Sequence, residues 1–336
     1  MLNLVTGPGG FLGRYITEQL LSRGQKVRGF SRGDYPYLQA MGVEMVRGDI
    51  SDAQKLEEAC RGVDTIYHVA GLCGIGEPWE RFYRTNTYGT HCLLEAARKA
   101  GVKKFIYTSS SSVSFDGYDQ KNVTVEPVYP TRWLCHYSHS KALAEQEVLQ
   151  MNGKDGLLTC SLRPHLVWGP RDNSLIPRLI SRAAAGSLKR VGSGKNLVDM
   201  IYVENAAAAH LQAADALAVN SPVAGNVYFL SHGQPVNCWE WIDELLEIYQ
   251  LPPVKHQISY AAAWSAGWFF EKIWKIFSWE TDPPMTRFLA GQLAKDHYYD
   301  ISPAKRDFGF SPTITKEQGM EALKKEFSKT KGVPFS

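Results

Sequence analysis

Three features predict an α/β fold with a doubly wound parallel sheet. Short apolar runs alternate with helical patterns through the first half, a glycine-rich turn follows the first run, and a second half punctuated by proline and glycine loses the alternation. Candidate strands are Leu2–Thr6, Lys26–Phe30, Val43–Val46, Asp64–Val69, Lys104–Thr108 and Leu158–Arg163. Helical patterns lie between them near Gly10–Arg23, Asp52–Cys60, Trp79–Ala100 and His136–Gln150. Runs such as Thr65-Ile66-Tyr67-His68-Val69 are continuous instead of alternating, as expected of strands covered on both faces. The division is a Rossmann-type dinucleotide-binding domain over 1–170 and a smaller substrate lobe over 171–336. The boundary is soft, and a strand or two of the second half is free to return to the first sheet.

Composition narrows the function classes. Of 336 residues, 44% are hydrophobic and 21% charged, with a net charge of +3. That mild charge, without a basic run, argues against nucleic acid as a partner. The 9 histidines show no HExxH-type spacing, so no metal site is expected. The 6 cysteines form no CxxC pair and read as reduced, mostly buried thiols. Because Met1-Leu2-Asn3-Leu4-Val5 is already the first strand, export is not expected. No stretch reaches the length of a membrane span. The expectation is a cytoplasmic enzyme.

The first strand runs into Thr6-Gly7-Pro8-Gly9-Gly10-Phe11-Leu12-Gly13 and then an amphipathic helix. Gly7 permits a tight turn, Gly10 lets backbone approach a pyrophosphate, and Gly13 lets the helix pack on the strand. The amides of Phe11 and Leu12 then open a helix whose positive end faces the phosphates. Strand two ends Gly29-Phe30-Ser31-Arg32, where an NAD-selective site places an acid for the ribose 2′-hydroxyl. Ser31 and Arg32 suit a 2′-phosphate instead. NADP(H) is therefore expected over NAD(H), with Asp34 as the residue that leaves NAD(H) open.

Tyr137-Ser138-His139-Ser140-Lys141 puts a phenol and an ammonium one turn apart on one helix face. With 16 tyrosines in the chain, such spacing also arises by chance. Position raises its weight, since it follows Thr108-Ser109-Ser110 at the end of strand five, where parallel sheets carry chemistry. Carbonyl reduction needs a proton on oxygen as hydride reaches carbon. Tyr137 is the candidate acid, and Lys141 is expected to lower its pKa and hold the nicotinamide ribose. Ser110 is the candidate for orienting the carbonyl, and a shift by one residue to Ser111 or Ser112 stays open.

Together with Gly48-Asp49 and Arg163-Pro164…Gly169-Pro170, these motifs resemble the extended short-chain dehydrogenases, nearest the 3β-hydroxysteroid dehydrogenase branch. Arg32-Gly33-Asp34-Tyr35-Pro36, the segment 172–178, Asn196-Leu197-Val198-Asp199 and Thr286-Arg287-Phe288-Leu289 narrow the likeness to bacterial 2-alkyl-3-oxoalkanoate reductases of long-chain olefin biosynthesis. Pro8 departs from the pattern, where small residues are usual. The resemblance implies that Asp49 and Ile50 contact adenine, that Val69, Ala70 and Gly71 pass beneath its ribose and the pyrophosphate, and that Pro164 borders the cofactor. It also implies that Asn86 helps keep the site's geometry, although a helix-surface role is an open alternative. The implied activity is NADPH-dependent reduction of a long-chain 2-alkyl-3-oxo acid to the 3-hydroxy acid. A carboxylate wants a cation, and Arg171, Arg178 and Arg287 are candidates, although each reads more readily as a structural surface arginine.

The alternatives are an NAD-dependent 3β-hydroxysteroid or sterol-4-carboxylate dehydrogenase, a nucleotide-sugar epimerase, and a non-catalytic cofactor sensor. A homodimer and a hydrophobic small-molecule substrate are expected. The segment Tyr260–Trp279 is unusually aromatic. On a helical wheel Phe269, Phe270, Ile273, Trp274, Ile276 and Phe277 share one arc, with Glu271, Lys272 and Lys275 opposite. It reads as a helix packed on the lobe, or as a lid bending at Gly267 that meets a membrane surface or a pathway enzyme.

Overall fold

The computed structural model describes residues 1–124, 129–277 and 282–329. The first half runs β1 (Leu2–Thr6), α1 (Phe11–Ser22), β2 (Lys26–Ser31), α2 (Pro36–Ala40), β3 (Glu44–Arg47), α3 (Ala53–Cys60) and β4 (Thr65–His68). Then come α4 (Trp79–Phe82), a π-helical turn over Tyr83–Tyr88, α5 (Gly89–Lys99), β5 (Lys104–Thr108), a 3-10 turn over Ser111–Ser114, β6 (Gln120–Val123), α6 (His136–Gln150) and β7 (Leu158–Pro164). The second half holds β8 (Val167–Trp168), α7 (Leu175–Ala184), β9 (Arg190–Val191), β10 (Leu197–Val198), β11 (Ile201–Tyr202), α8 (Val203–Ala216), β12 (Val227–Leu230) and β13 (Val236–Asn237). It ends with α9 (Cys238–Ile248), β14 (Gln257–Ile258), α10 (Tyr260–Phe277), α11 (Arg287–Ala294), β15 (His297–Tyr299), α12 (Ser302–Phe308) and α13 (Lys316–Lys329).

Seven parallel strands form the main sheet in the order β12-β7-β5-β4-β1-β2-β3. Connections reverse direction between β1 and β4, so the carboxyl ends of these strands open a crevice there. Burial explains the unbroken apolar runs, since all four residues of β4 are buried. Val5, Ile16, Leu20, Ala206 and Leu211 pack one face under α1 and α8. Leu4, Leu56, Leu93, Phe105 and Val148 pack the other under α3, α5 and α6.

The lobes interleave. From the second half, β12 pairs with β7 at the sheet edge and α8 covers α1. From the first half, β6 crosses over and pairs with β15 in a four-stranded sheet ordered β13-β10-β15-β6. His165, just past β7, bonds both Asp199 at 2.5 Å and His297 at 3.0 Å, a buried polar chain joining the two sheets. Trp168, Trp239 and Trp241 are buried in the core of the second lobe. The single helix expected over Trp79–Ala100 is continuous but carries the π-helical turn, an inserted residue's worth of slack that such turns often use to aim a functional side chain.

One ion pair fixes the helix that carries the candidate catalytic residues. Glu145 on α6 and Arg163 on β7 are both fully buried, and the Arg163 Nε lies 3.1 and 3.0 Å from the two Glu145 carboxylate oxygens. Ser161 donates to the same carboxylate at 2.7 Å and the Tyr129 hydroxyl at 2.8 Å. Burial pushes the Glu145 carboxyl up, but Arg163 and the donors around it win and hold it below its ordinary value. Breaking such a pair leaves one charge buried alone. Glu145→Gln should therefore cost about 3–5 kcal/mol in urea unfolding. Replacing both partners with apolar residues should recover most of that loss. A single substitution within 1 kcal/mol of the parent contradicts the assignment.

Candidate active site

The glycine turn is built by close approach. A Cβ on Gly7, whose φ is +68°, would meet the Ala70 backbone at 3.1 Å, and one on Gly13 would sit 2.1 Å from the Gly7 carbonyl oxygen. Gly10 caps α1 without a side-chain hydrogen bond, and no acid lies in the first turn. The amides of Phe11 and Leu12 are thus uncapped donors at the positive end of a 12-residue helix, the arrangement a pyrophosphate requires.

Sequence reasoning assigned no role to Gly9 or Tyr35, and the structure links them. The Tyr35 ring lies where a Gly9 Cβ would be, 2.2 Å away, and its hydroxyl lies 2.8 Å from the same point on Gly33. Tyr35 therefore walls the glycine turn on the side where β2 ends. Ser31 donates to the Gly33 carbonyl at 3.0 Å, and Arg32 is 75% exposed, with Asp49 4.0 Å away. Asp49 is held below its ordinary pKa, chiefly by the Ser51 hydroxyl at 2.6 Å, and Ile50 is buried beneath Gly89.

A hydrogen-bond chain aligns the strand ends. The amides of Val69 and Ala70 both donate to Thr6 Oγ1 at 3.1 Å, so that hydroxyl gives its own proton to His68 Nδ1 at 2.8 Å. His68 Nε2 then donates to Thr90, which donates to the Asn86 carbonyl at 2.6 Å. Burial, aided by Lys141, drives the His68 pKa well down, which keeps the ring neutral as this chain requires.

Asn86 lies on the π-helical turn and is buried. Its Oδ1 accepts from the Leu72 amide at 2.7 Å, and its Nδ2 donates to the Leu72 carbonyl and to Ser140 Oγ, each at 3.0 Å. It ties the loop after β4 to α6. A Cβ on Gly71 would lie 3.3 Å from Asn86 and 3.9 Å from Lys141 Nζ.

On α6, the Tyr137 hydroxyl lies against the side chains of Ser110 and Cys73. Ser112 bonds Ser110 at 2.8 Å, whereas Ser111 is buried and turned toward the Tyr299 hydroxyl, so Ser110 is the serine that meets Tyr137. Cys73, which sequence reasoning left among the buried thiols, opens onto the cleft. The buried Lys141 donates to the Thr108 carbonyl at 2.6 Å and sits 4.1 Å over the Tyr107 ring. Burial lowers its pKa to about 8. The expected lowering of the Tyr137 pKa is corrected: burial first, then the neighbouring Cys73, pushes it well above its ordinary value. The reason is geometric, because the Lys141 ammonium is directed to a backbone carbonyl. Pro164 ends β7 beside Leu230, at the same edge of the sheet.

The three candidate arginines are not brought together. Arg171 forms two hydrogen bonds to Glu18 at 2.7 and 2.9 Å and stacks over Tyr15 at 3.9 Å, against α1. Arg287 is bound by Glu271 through its Nε at 2.7 Å. Arg178 pairs with Asp282 at 2.8 Å, and its charge reaches Cys73.

Of the segment at 260–279, Tyr260–Phe277 forms α10, and 278–279 lie outside the described residues. Two expectations for it are corrected. Gly267 is not a bend: it is buried where the helix closes on Thr286, with a Cβ position 2.5 Å from that backbone. Glu271 is not on a polar outer face, because it turns inward to Arg287. The small Ala263 and Gly267 set the contact, which leaves Trp268, Phe269, Ile276 and Phe277 exposed beside Lys272 and Lys275. Trp264 faces Gly117, which also meets Leu134, and the charges of Lys275 and Glu271 act on His136 at the start of α6.

The model of the 3-beta hydroxysteroid dehydrogenase/isomerase family matches residues 4–259. A 2-alkyl-3-oxoalkanoate reductase of Stenotrophomonas maltophilia is 40% identical over 323 residues, covering 96% of this chain and 98% of that protein. One of Shewanella oneidensis is 39% identical, covering 95% and 84%. The sterol-4-alpha-carboxylate 3-dehydrogenase, decarboxylating, of Mus musculus is 34% identical, covering 96% and 90%. Among solved structures, the dTDP-glucose 4,6-dehydratase of Streptomyces venezuelae with NAD superposes with a TM-score of 0.76 at 22% identity, covering 99% and 98%, a likeness of fold. The family model spans the glycine turn, Ser110, Tyr137 and Lys141 alike, and the chain belongs to the 3-beta hydroxysteroid dehydrogenase/isomerase family of oxidoreductases.

Proposed function

We propose that the protein reduces a long-chain 2-alkyl-3-oxo acid to the 2-alkyl-3-hydroxy acid with NADPH, a step of hydrocarbon biosynthesis. The observation that carries this reading is near-full-length identity of about 40% to two reductases of that name, with Ser110, Tyr137 and Lys141 gathered at one strand end. When bound, the nicotinamide supplies the hydride to the carbonyl carbon. Ser110 orients the carbonyl, and Tyr137 gives its phenolic proton to the oxygen. The Tyr137 phenol holds its proton at neutral pH, as donation to the carbonyl oxygen requires, and the alignment by Ser110 places that proton at the oxygen. Lys141 holds the ribose with its ammonium.

Tyr137→Phe should lower kcat by about a hundredfold or more while NADPH still binds. Because Lys141 titrates near pH 8, NADPH affinity should weaken as the pH rises through that value. Lys141→Met should weaken binding at neutral pH and abolish the pH step. Full activity in Tyr137→Phe, or a pH step surviving in Lys141→Met, refutes these roles.

Ser31 and Arg32 stand where an NAD site places an acid, and the exposed Arg32 is free to swing to a 2′-phosphate. NADPH should bind at least about tenfold tighter than NADH, roughly 1.4 kcal/mol. Arg32→Ala should remove most of that preference. Equal affinities in the parent enzyme contradict it.

The exposed aromatic face of α10 supports a role in meeting insoluble substrate, at a membrane surface or on a pathway enzyme. Phe269→Asp with Ile276→Asp should leave folding and NADPH binding intact and raise KM for long-chain substrates far more than for short ones. A variant that treats both chain lengths as the parent does rules this out.

A further inference from the structure

We propose that Arg178 and Arg182, one turn apart on α7, form the seat of the substrate's carboxylate. This rests on the reading of the protein as an oxo-acid reductase and gives that acid group a place.

The charges around the pair leave room for an anion. Ile176 and Ile180 bury the opposite side of α7 in the second lobe's core. Facing the two guanidiniums is Asp282, whose two oxygens are already engaged. One pairs with Arg178 at 2.8 Å, and the other accepts from the Gly76 amide at 2.8 Å. Among the described residues two cations face one carboxylate, which leaves one positive charge uncompensated. Among the described residues the Arg182 side chain donates one hydrogen bond, a long one of 3.4 Å from Nη2 to the Pro283 carbonyl. A guanidinium has five N–H donors, so among the described residues most of the Arg182 fork is left for a carboxylate. Arg182 is half-buried, and burial together with the Arg178 charge destabilises its cationic form. An incoming carboxylate offsets both penalties by its opposite charge.

Gly76 belongs to the loop that runs from Gly71, under Lys141, through Cys73, against the Tyr137 hydroxyl. The seat therefore sits at the far end of the same short loop that borders the reacting carbonyl, and the Arg178 charge is felt at Cys73. In a 3-oxo acid the carboxylate is separated from the carbonyl by a single carbon, so both groups must lie along one short wall. Arg171 and Arg287 do not serve, because each is already neutralised by its own glutamate.

Arg182 is the residue to change, since Arg178 also holds Asp282 in place. The substrates are a long-chain 2-alkyl-3-oxo acid and its methyl ester, which removes the charge and keeps the chains. The parent enzyme should prefer the acid. Arg182→Met should raise KM for the acid by about tenfold to a hundredfold, the worth of a hydrogen bond to a charged group. It should leave kcat, the ester's KM and the NADPH Kd near parental values, and Arg182→Lys should restore part of the loss. Acid KM unchanged in Arg182→Met, or acid and ester weakened together, overturns the seat while the reductase reading stands. A parent that reduces neither compound overturns both.

Discussion

The buried pair between Glu145 and Arg163 is the constraint on which the site depends. It bolts α6 to β7 two turns beyond Tyr137 and one beyond Lys141, and both partners are excluded from water. A helix held so firmly delivers its phenol to Ser110 on the neighbouring strand end without a flexible linker. The same carboxylate adds a raising influence on the Lys141 ammonium, which burial otherwise drives down. The pair thus sets where the catalytic helix lies, and its carboxylate, with Cys73, offsets part of the burial that lowers the lysine's pKa.

The loop after β4 is the complementary surface. Thr6, His68 and Thr90 pass hydrogen bonds from the first strand to the π-helical turn, and Asn86 closes the circuit by holding Leu72 and Ser140 together. Each member is buried and singly directed, so the neutral form of His68 is part of the fit. The glycine turn leans on Ala70 of this loop, Lys141 reaches toward Gly71, and Gly76 reaches Asp282 and hence Arg178. Cofactor turn, proton donor and the proposed anion seat therefore share one segment.

What the sequence made legible was local. The glycine spacing, the Tyr137–Lys141 turn and the strands that present them are set by neighbours within a few residues, and the described helix His136–Gln150 coincides with its expected limits. Ser110 needed the fold, because three serines in a row are equivalent until one meets Tyr137. The packing of Tyr35 on Gly9 joins residues on successive βα units, and Arg182 gains meaning only from Asp282, 100 positions away. The orientation of α10 was misjudged for a related reason. A wheel ranks faces by hydrophobicity, but the small Ala263 and Gly267 decided which side closes on Thr286. The sequence left room for a second-half strand in the main sheet, and β12 takes that place; the crossing of β6 was invisible, since a short polar run such as Gln120–Val123 does not say which sheet it joins.

This site works as a reductase of a 2-alkyl-3-oxo acid and not as a dehydrogenase of a sterol. The most direct test is side-by-side turnover of a long-chain 2-alkyl-3-oxo acid and a 3β-hydroxysteroid, each with both nicotinamide cofactors. The account predicts that kcat/KM for the oxo acid with NADPH exceeds every other combination. Efficient oxidation of the steroid with NAD, with the oxo acid left unreduced, contradicts it.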